Sequence, residues 1–497
     1  MMMATRAPAT RAMPLAELLG RPACAGGDTL ISGLQLDSRK VRPGDLFLAI
    51  PGEVHDGRQF IEQAVANGAA AVAAEAPVAG FVDALPVPLV EQPELRFDVG
   101  AVAARFYRHP SRDLHMVGVT GTNGKTTTSR LVAQLGRALG KPCGVIGTLG
   151  ASLDDTVVDT ANTTPDPVSL QHQLAQWRDQ GVYAVSMEVS SHALVQGRVN
   201  GVEFETAIYT NLSHDHLDYH GSMDAYGRAK LQLFADPGLR HAVINLDDEF
   251  APQVLAAVDR EVQVLTYSRA GAAADVRVEN PRFHARGVDA DLLTPWGRGT
   301  FASPLPGEFN LANLAAAVTA VVLTGAELAA VLAAVAQLRP VPGRMQVIDN
   351  SLGLQVIVDY AHTPDALEQV LASLRAHVAG DLVTVFGCGG DRDRAKRQVM
   401  GRVASRFSDR VIVTSDNPRS EDPAAILADI ATGCSGDFVL VPDRAEAIAS
   451  AIAQVRPGDC VVIAGKGHEN YQIIDGRRIH FSDEEQALAA LARKAAS

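Results

Sequence analysis

Across residues 113–340 and again across 341–497, short apolar runs alternate with longer segments whose apolar positions recur at helical spacing. That alternation predicts parallel strands covered by helices on both faces. In the first block the strand-like runs end at Thr120 and then cover 183–187, 206–210 and 242–245. The stretch 262–301 is rich in β-formers and turns, which predicts an antiparallel extension. In the second block five buried strands are predicted at 354–359, 382–386, 410–414, 438–441 and 460–464. Loops rich in Gly, Pro, Asp, Asn or His follow four of them. Ligands of such doubly wound sheets gather beyond the carboxyl ends of the strands. Residues 1–112 read as a small α/β unit with a helix at 61–66 and a turn at Arg42-Pro-Gly-Asp45. The punctuation Arg339-Pro-Val-Pro-Gly343 suggests the second boundary, which gives units 1–112, 113–340 and 341–497.

The first apolar run leads into Gly121-Thr-Asn-Gly-Lys-Thr-Thr127, with a helical pattern over 129–139. Strand, glycine loop and helix together form a phosphate cradle. Backbone N–H groups and the helix N-terminus face a polyphosphate, Lys125 adds a point charge, and Thr126 offers a hydroxyl to Mg²⁺. The general spacing calls for a glycine where Val119 stands. A nucleotide triphosphate is therefore the predicted ligand.

At 497 residues the chain has room for about three domains. Its formal charge of −13 argues against a nucleic-acid surface, so anionic substrates must be held by local cations. Five scattered cysteines show no metal-ligand spacing, which predicts a reducing, cytoplasmic setting. No secretory signal is predicted at the N-terminus. The alanine-rich stretch 311–338 is interrupted by Asn313, Gly325, Glu327 and Gln337. Two core helices explain it better than a membrane span.

Four further sites carry candidate chemistry. Glu188 ends a strand beside the phosphate loop and could hold Mg²⁺, while Glu188 or Ser190 reads equally as a helix N-cap. Residues 214–220 hold three histidines and two aspartates. They could assist a second Mg²⁺ or lie solvated in a polar loop, and nothing completes a zinc site. Lys230 falls on a predicted helix over 223–234, where most lysines are solvated. Asp416-Asn-Pro-Arg419 and Gly465-Lys-Gly-His-Glu469 follow predicted strands. The first suits a bidentate grip on a carboxylate or forms a plain turn; Glu469 could take an ammonium. Gly387-Cys-Gly389 looks like a dinucleotide fingerprint, but Arg392 occupies its third glycine position, which excludes NAD.

Taken together these motifs resemble the Mur ligase family, over the whole chain and in the same order. The phosphate loop, Ser186-Met-Glu-Val-Ser-Ser-His192 and the run from Asn211 to His220 carry the resemblance. So do Asn310-Leu-Ala-Asn313, Asp359-Tyr-Ala-His-Thr-Pro-Asp365 and Gly387-Cys-Gly-Gly-Asp-Arg-Asp393. The resemblance implies a UDP-binding N-terminal domain, a central ATPase and a Rossmann-like C-terminal domain. Gly121, Thr122, Asn123, Gly124, Lys125, Thr126 and Thr127, with Asn310, Arg344, Asp359 and His362, would bind ATP. Leu36, Ser38, Glu53, Val54 and His55 would contact uridine nucleotide. Asn162, Thr163, Thr164, Ser190, Gln196 and Arg198 would hold the muramoyl-peptide. Thr126, Glu188 and His216 would surround Mg²⁺, joined by Lys230 as a carbamate.

The turn Asp416-Asn-Pro-Arg419 resembles that of members adding meso-diaminopimelate. Arg392, Asp416, Asn417, Pro418, Arg419, Gly465 and Glu469 would then recognise the far end of that amino acid. The implied reaction is ATP-dependent: the D-glutamate γ-carboxylate of UDP-MurNAc-L-Ala-D-Glu becomes an acyl phosphate, and the amine displaces phosphate. The implied protein is a cytoplasmic monomer of peptidoglycan precursor synthesis, with no nucleic-acid or membrane partner. Two rivals are a folylpolyglutamate synthase-like or other Mur ligase, and a nucleotide switch that makes no bond.

Overall fold

The computed structural model describes residues 12–53, 55–81, 85–154, 156–160, 162–284, 287–375 and 378–496. Three sheets organise the chain. The first has four parallel strands, Gly33–Gln35, Asp45–Ala49, Ala71–Glu75 and Leu89–Gln92, in chain order. Val54, expected at the uridine site, lies outside the described residues.

The second sheet has eleven strands. Its middle runs Cys143–Gly147, Ala184–Glu188, His115–Thr120, Thr206–Tyr209, His241–Asn245 and Gln263–Ser268, all parallel. The expected antiparallel extension starts later than its sequence suggests. Val276–His284 still pairs parallel to Gln263–Ser268, and antiparallel pairing at this end of the sheet begins with Gly287–Thr294 and continues to Gly297–Ser303. The third sheet places Gln355–Asp359, Cys460–Ala464, Leu382–Phe386, Arg410–Val413 and Phe438–Leu440 side by side in parallel, with Gln346–Val347 antiparallel at one edge. Phe438–Leu440 was expected to be buried but is only half-covered, because it forms the other edge and has no outer neighbour.

The phosphate loop is short because Val119 belongs to the strand, fully buried, and the chain leaves the sheet only after Thr120. Helix Lys125–Ala138 begins at the loop itself, several residues before the periodic pattern at 129–139 shows it. Two glycines are sterically required. Gly121 has φ +148°, and a Cβ there would lie 1.9 Å from Thr210 Oγ1. Gly124 has φ +86°, and its Cβ would lie 2.5 Å from Asn313 Oδ1.

Residues 311–338 form core helices, Phe309–Leu323 and Leu328–Val335. Leu314, Ala317, Val318 and Val321 pack with Val117, Val119, Leu131 and Leu135 of the phosphate-loop strand and helix. Full burial of each Leu or Val contributes about 1.5–3 kcal/mol. This apolar wedge is what holds the phosphate loop rigid against the sheet. Among the described residues no helix is long and apolar enough to cross a membrane.

Candidate active site

Glu188 ends the strand Ala184–Glu188, between Cys143–Gly147 and His115–Thr120. Its side chain is 1 % exposed. Thr126 Oγ1 and Thr148 Oγ1 donate to its Oε2 at 3.0 and 3.1 Å, and the Thr148 N–H donates to Oε1 at 2.8 Å. A Cβ on Gly147 would come within 2.1 Å of Oε1, so glycine there makes room for the carboxylate. All three of these donors are neutral. A buried carboxylate with hard-oxygen neighbours and no cationic hydrogen-bond donor among the described residues suits a divalent cation. Glu188 is not a cap; Ser190 is, accepting from Ala193 N–H at 3.2 Å.

Lys125 curls over its own loop, donating to the carbonyls of Gly121 and Thr122 at 2.8 Å each. Burial lowers its pKa, with Arg344 pushing the same way and Glu188 and Asp215 opposing. Asn211 Oδ1 accepts from the Asn123 N–H at 2.9 Å, and Thr210 Oγ1 donates to the Asn123 carbonyl at 2.6 Å. From the third sheet's unit, Asp365 Oδ2 accepts from Asn123 Nδ2 at 3.0 Å, and Arg344 Nη2 donates to Thr126 Oγ1 at 3.3 Å.

Lys230 is not the solvated helix lysine its sequence context suggests. The helix Met223–Leu231 buries it to 1 % exposure. Nζ donates to the Gly121 carbonyl at 2.9 Å and lies 4.2 Å from the centre of the Tyr226 ring. Burial and the Lys125 charge push its pKa well below the ordinary lysine value, against Asp215. A neutral amine is thereby favoured. His216 has φ +54°, and its Nε2 lies 3.4 Å from Asp215 Oδ2; its ring meets the edges of His192 and Tyr226. Burial lowers its pKa, with Asp215 opposing. Among the described residues no group of three or more His, Cys, Asp and Glu gathers as a metal cage.

A cavity of about 270 Å³ joins these groups to the third sheet's unit. Its lining includes Thr122, Asn123, Gly124, Lys125, Thr126, Thr127, Thr163, Glu188, Ser190, His216, Lys230, Asn310, Arg344, Asp359 and His362. Asp359 is buried, and its oxygens accept from the N–H groups of Met345 and Ala361 at 2.6 and 2.8 Å. Burial raises its pKa. Arg344 lies 4.2 Å from the Tyr360 ring centre. His362 Nδ1 is 2.8 Å from the Tyr360 carbonyl, and burial lowers its pKa, with the Lys396 charge pushing the same way. Asn310 Nδ2 donates to the Pro306 carbonyl and its Oδ1 accepts from Asn313 Nδ2, at 2.7 and 3.0 Å.

A second cluster lies at the carboxyl ends of the third sheet. Asn417 Nδ2 donates to Glu469 Oε2 at 3.0 Å. Arg419, at φ +55° after Pro418, donates from Nη1 to the Gly390 carbonyl at 2.7 Å. A Cβ on Gly389 would meet that nitrogen at 2.8 Å, and one on Gly465 would meet Asp416 Oδ2 at 3.4 Å. Arg392 flanks the same glycine, its Cγ 3.8 Å from where a Cβ on Gly389 would lie. It is exposed, with Nη1 3.5 Å from the carbonyl of Asp391, because the loop turns it toward solvent.

On the opposite flank, Thr164 Oγ1 donates to the Glu188 carbonyl at 2.8 Å, and Arg198 Nη1 donates to the Thr164 carbonyl at 3.2 Å. Thr163 Oγ1 is 3.3 Å from Thr148 Oγ1. Gln196 Nε2 bonds Glu53 of the first sheet's unit, and also Tyr219 Oη at 3.1 Å. The remaining expected contacts lie apart from this cavity. Ser38 is buried, donating to Gln63 Oε1 at 2.7 Å. Leu36 packs partly against the N-terminal core, His55 meets Phe60 edge-on, and Asn162 lines a different cleft.

Three family models match this chain in sequence. They are the Mur ligase family catalytic domain at residues 30–105, the Mur ligase middle domain at 119–321, and the Mur ligase glutamate ligase domain at 343–467. The chain is 52 % identical, over 467 residues, to the UDP-N-acetylmuramoyl-L-alanyl-D-glutamate–2,6-diaminopimelate ligase of Pseudomonas aeruginosa. That alignment covers 94 % of this chain and 96 % of the relative. The chain belongs to the Mur ligase family.

Other relatives of this Mur ligase agree. The enzyme of the same name from Geobacillus thermodenitrificans is 44 % identical over 479 residues, covering 94 % of this chain and 96 % of the relative. A solved structure of that name superposes with a TM-score of 0.73 at 39 % identity, covering 98 % of this chain and all of the other. MurF from Acinetobacter baumannii shares the fold alone, at 19 % identity and a TM-score of 0.69 over 98 % of this chain and all of the other.

Several groups of the site escaped sequence reasoning. Thr148 follows a strand end beside Ala184–Glu188, so the carboxyl-end rule could have found it. Lys466 lies just past the strand Cys460–Ala464, so the same rule reaches it; the buried pair Arg444–Asp483 carries no such signal, and only packing brings it under the second cluster.

Proposed function

We propose that this chain joins an amine of meso-2,6-diaminopimelate to the D-glutamate γ-carboxylate of UDP-MurNAc-L-Ala-D-Glu, with ATP cleaved to ADP and phosphate. One observation carries the reading. A phosphate loop and a cluster that holds both Arg419 and Glu469 stand at strand ends of two different sheets, and Arg344, from the cluster's side, reaches the Thr126 hydroxyl.

A carboxylate accepts an amine poorly, so it must first gain a leaving group. The loop N–H groups and Lys125 would hold the ATP phosphates, with Lys125 leaving its carbonyl partners for them. Arg344 would stabilise charge on the transferred phosphoryl group. Asn310, Asp359 and His362, which line the same cavity, would contact the nucleotide. The resulting acyl phosphate is attacked by the amine, and the tetrahedral adduct releases phosphate. Thr163, Thr164, Ser190, Gln196 and Arg198 would place the muramoyl-peptide, and Leu36, Ser38, Glu53 and His55 its uridine end, so that the reactants meet without water.

The donor set at Glu188 and Thr126 fits Mg²⁺, with His216 and a carbamate on Lys230 as further neighbours. Bound there, the ion would neutralise phosphate charge. Lys230's depressed pKa supports carbamylation, since only the neutral amine reacts with carbon dioxide. The chain would act as a cytoplasmic monomer, with domain boundaries near 112 and 340.

The test is ADP release with UDP-MurNAc-L-Ala-D-Glu across a panel of diamino acids. Strong stimulation by meso-diaminopimelate is expected. A preference for L-lysine would replace the acceptor, and amine-independent hydrolysis would favour a nucleotide switch.

A further inference from the structure

We infer that Lys466 sets the choice of amino acid by making the acceptor cluster electrically neutral, so that it complements a zwitterionic end group and disfavours a purely cationic one. This rests on the reading that meso-diaminopimelate is the incoming amine.

Lys466 is 0 % exposed and sits behind the groups expected to touch the amino acid. Its Nζ donates to Glu469 Oε2 at 3.1 Å, to Asn417 Oδ1 at 3.2 Å and to Asp416 Oδ1 at 3.4 Å. The same Asn417 Oδ1 accepts from the Ile473 N–H at 3.0 Å, which pins the amide's orientation and turns its Nδ2 toward Glu469. A single ammonium thus fixes three side chains of the cluster. It is itself held rigidly. Arg444 pairs with Asp483, both fully buried, and donates to the carbonyls of Ser415 and Ala464 at 3.3 and 3.0 Å. Those carbonyls immediately precede Asp416 and Gly465.

The charges decide what the cluster accepts. Asp416 and Glu469 are two anions, and Arg419 and Lys466 are two cations. Arg444 and Asp483 cancel each other behind them. Arg392 and Arg478 are exposed, so solvent screens them. The far end of diaminopimelate carries one ammonium and one carboxylate and meets a neutral site without net cost. The far end of lysine carries an ammonium alone. It would leave Arg419 without a carboxylate and add an unbalanced charge to a largely buried cluster. Without Lys466 the cluster holds an excess negative charge, which attracts lysine and repels the diaminopimelate carboxylate.

The experiment measures kcat/KM for meso-diaminopimelate and for L-lysine with the full chain, ATP and UDP-MurNAc-L-Ala-D-Glu. In Lys466→Met the ratio of the two is expected to fall about tenfold or more, through KM for diaminopimelate, with KM for ATP unchanged. Lys466→Arg, which keeps the charge, should recover part of that ratio. Equal losses on both amines would make Lys466 a scaffold residue only and overturn the inference. Should Lys466→Met not fold, Glu469→Gln gives the mirror test. It leaves a net positive cluster, so the ratio must rise; a fall or no change overturns the inference. A wild-type protein that ignores meso-diaminopimelate would instead defeat the acceptor assignment on which this rests.

Discussion

Arg344 Nη2 donates to Thr126 Oγ1 across 3.3 Å, and through that contact the third sheet's unit touches the phosphate loop. Thr126 in turn donates to Glu188. Arginine, threonine and glutamate form a line from one unit into the other, with the cavity along its side. Arg344→Ala should lower kcat/KM for ATP about a hundredfold or more, while the thermal midpoint stays near wild type. Loss confined to the amino-acid KM would remove Arg344 from the phosphoryl-transfer step.

Glu188→Gln separates function from stability. Its carboxylate is buried and its three neutral donors leave it without an ion pair, so the neutral isostere removes a desolvation cost while leaving some donor–donor mismatch. Turnover should fall about a hundredfold and the Mg²⁺ needed for half-activity should rise, with a thermal midpoint equal to or above wild type. Unchanged Mg²⁺ dependence would show that this carboxylate does not face the ion.

Lys230 should take up carbon dioxide. With ¹³C-bicarbonate, a carbamate carbon resonance is expected in the wild-type protein and not in Lys230→Ala, and activity should follow the signal. A wild-type spectrum without that resonance, from protein of full activity, would rule the modification out.

Acid should weaken the fold through His468. Burial, with Arg344, Arg130 and Lys466 nearby, lowers its pKa from 6.5 to about 4. Below about 6.5 the unfolded chain takes up a proton that the folded chain refuses until about pH 4. The contribution is therefore intact above 6.5 and lost as pH falls through this window, by up to about 3 kcal/mol. Denaturant midpoints from pH 7 to 4 should decline less steeply in His468→Gln than in wild type. Parallel declines would assign the acid sensitivity to other groups.

Sequence patterning exposed the parts of this protein that repeat a local rule. The phosphate loop, the parallel strands and the motifs at 186–192, 416–419 and 465–469 all follow periodicity or lie at a strand's carboxyl end. It misjudged residues whose setting is made by distant chain. Lys230 looks like any helix lysine until the Gly121 carbonyl and the Tyr226 ring close over it. The change from parallel to antiparallel pairing after Val276–His284 was hidden because both kinds of strand favour the same β-branched residues.

The central claim is that ATP's terminal phosphoryl group passes to a substrate carboxylate before the amine arrives. Its most direct measurement uses UDP-MurNAc-L-Ala-D-Glu carrying ¹⁸O in the D-glutamate γ-carboxylate, turned over with ATP and meso-diaminopimelate. One labelled oxygen should appear in the orthophosphate for each amide formed. Orthophosphate free of label, alongside normal amide product, would contradict the account.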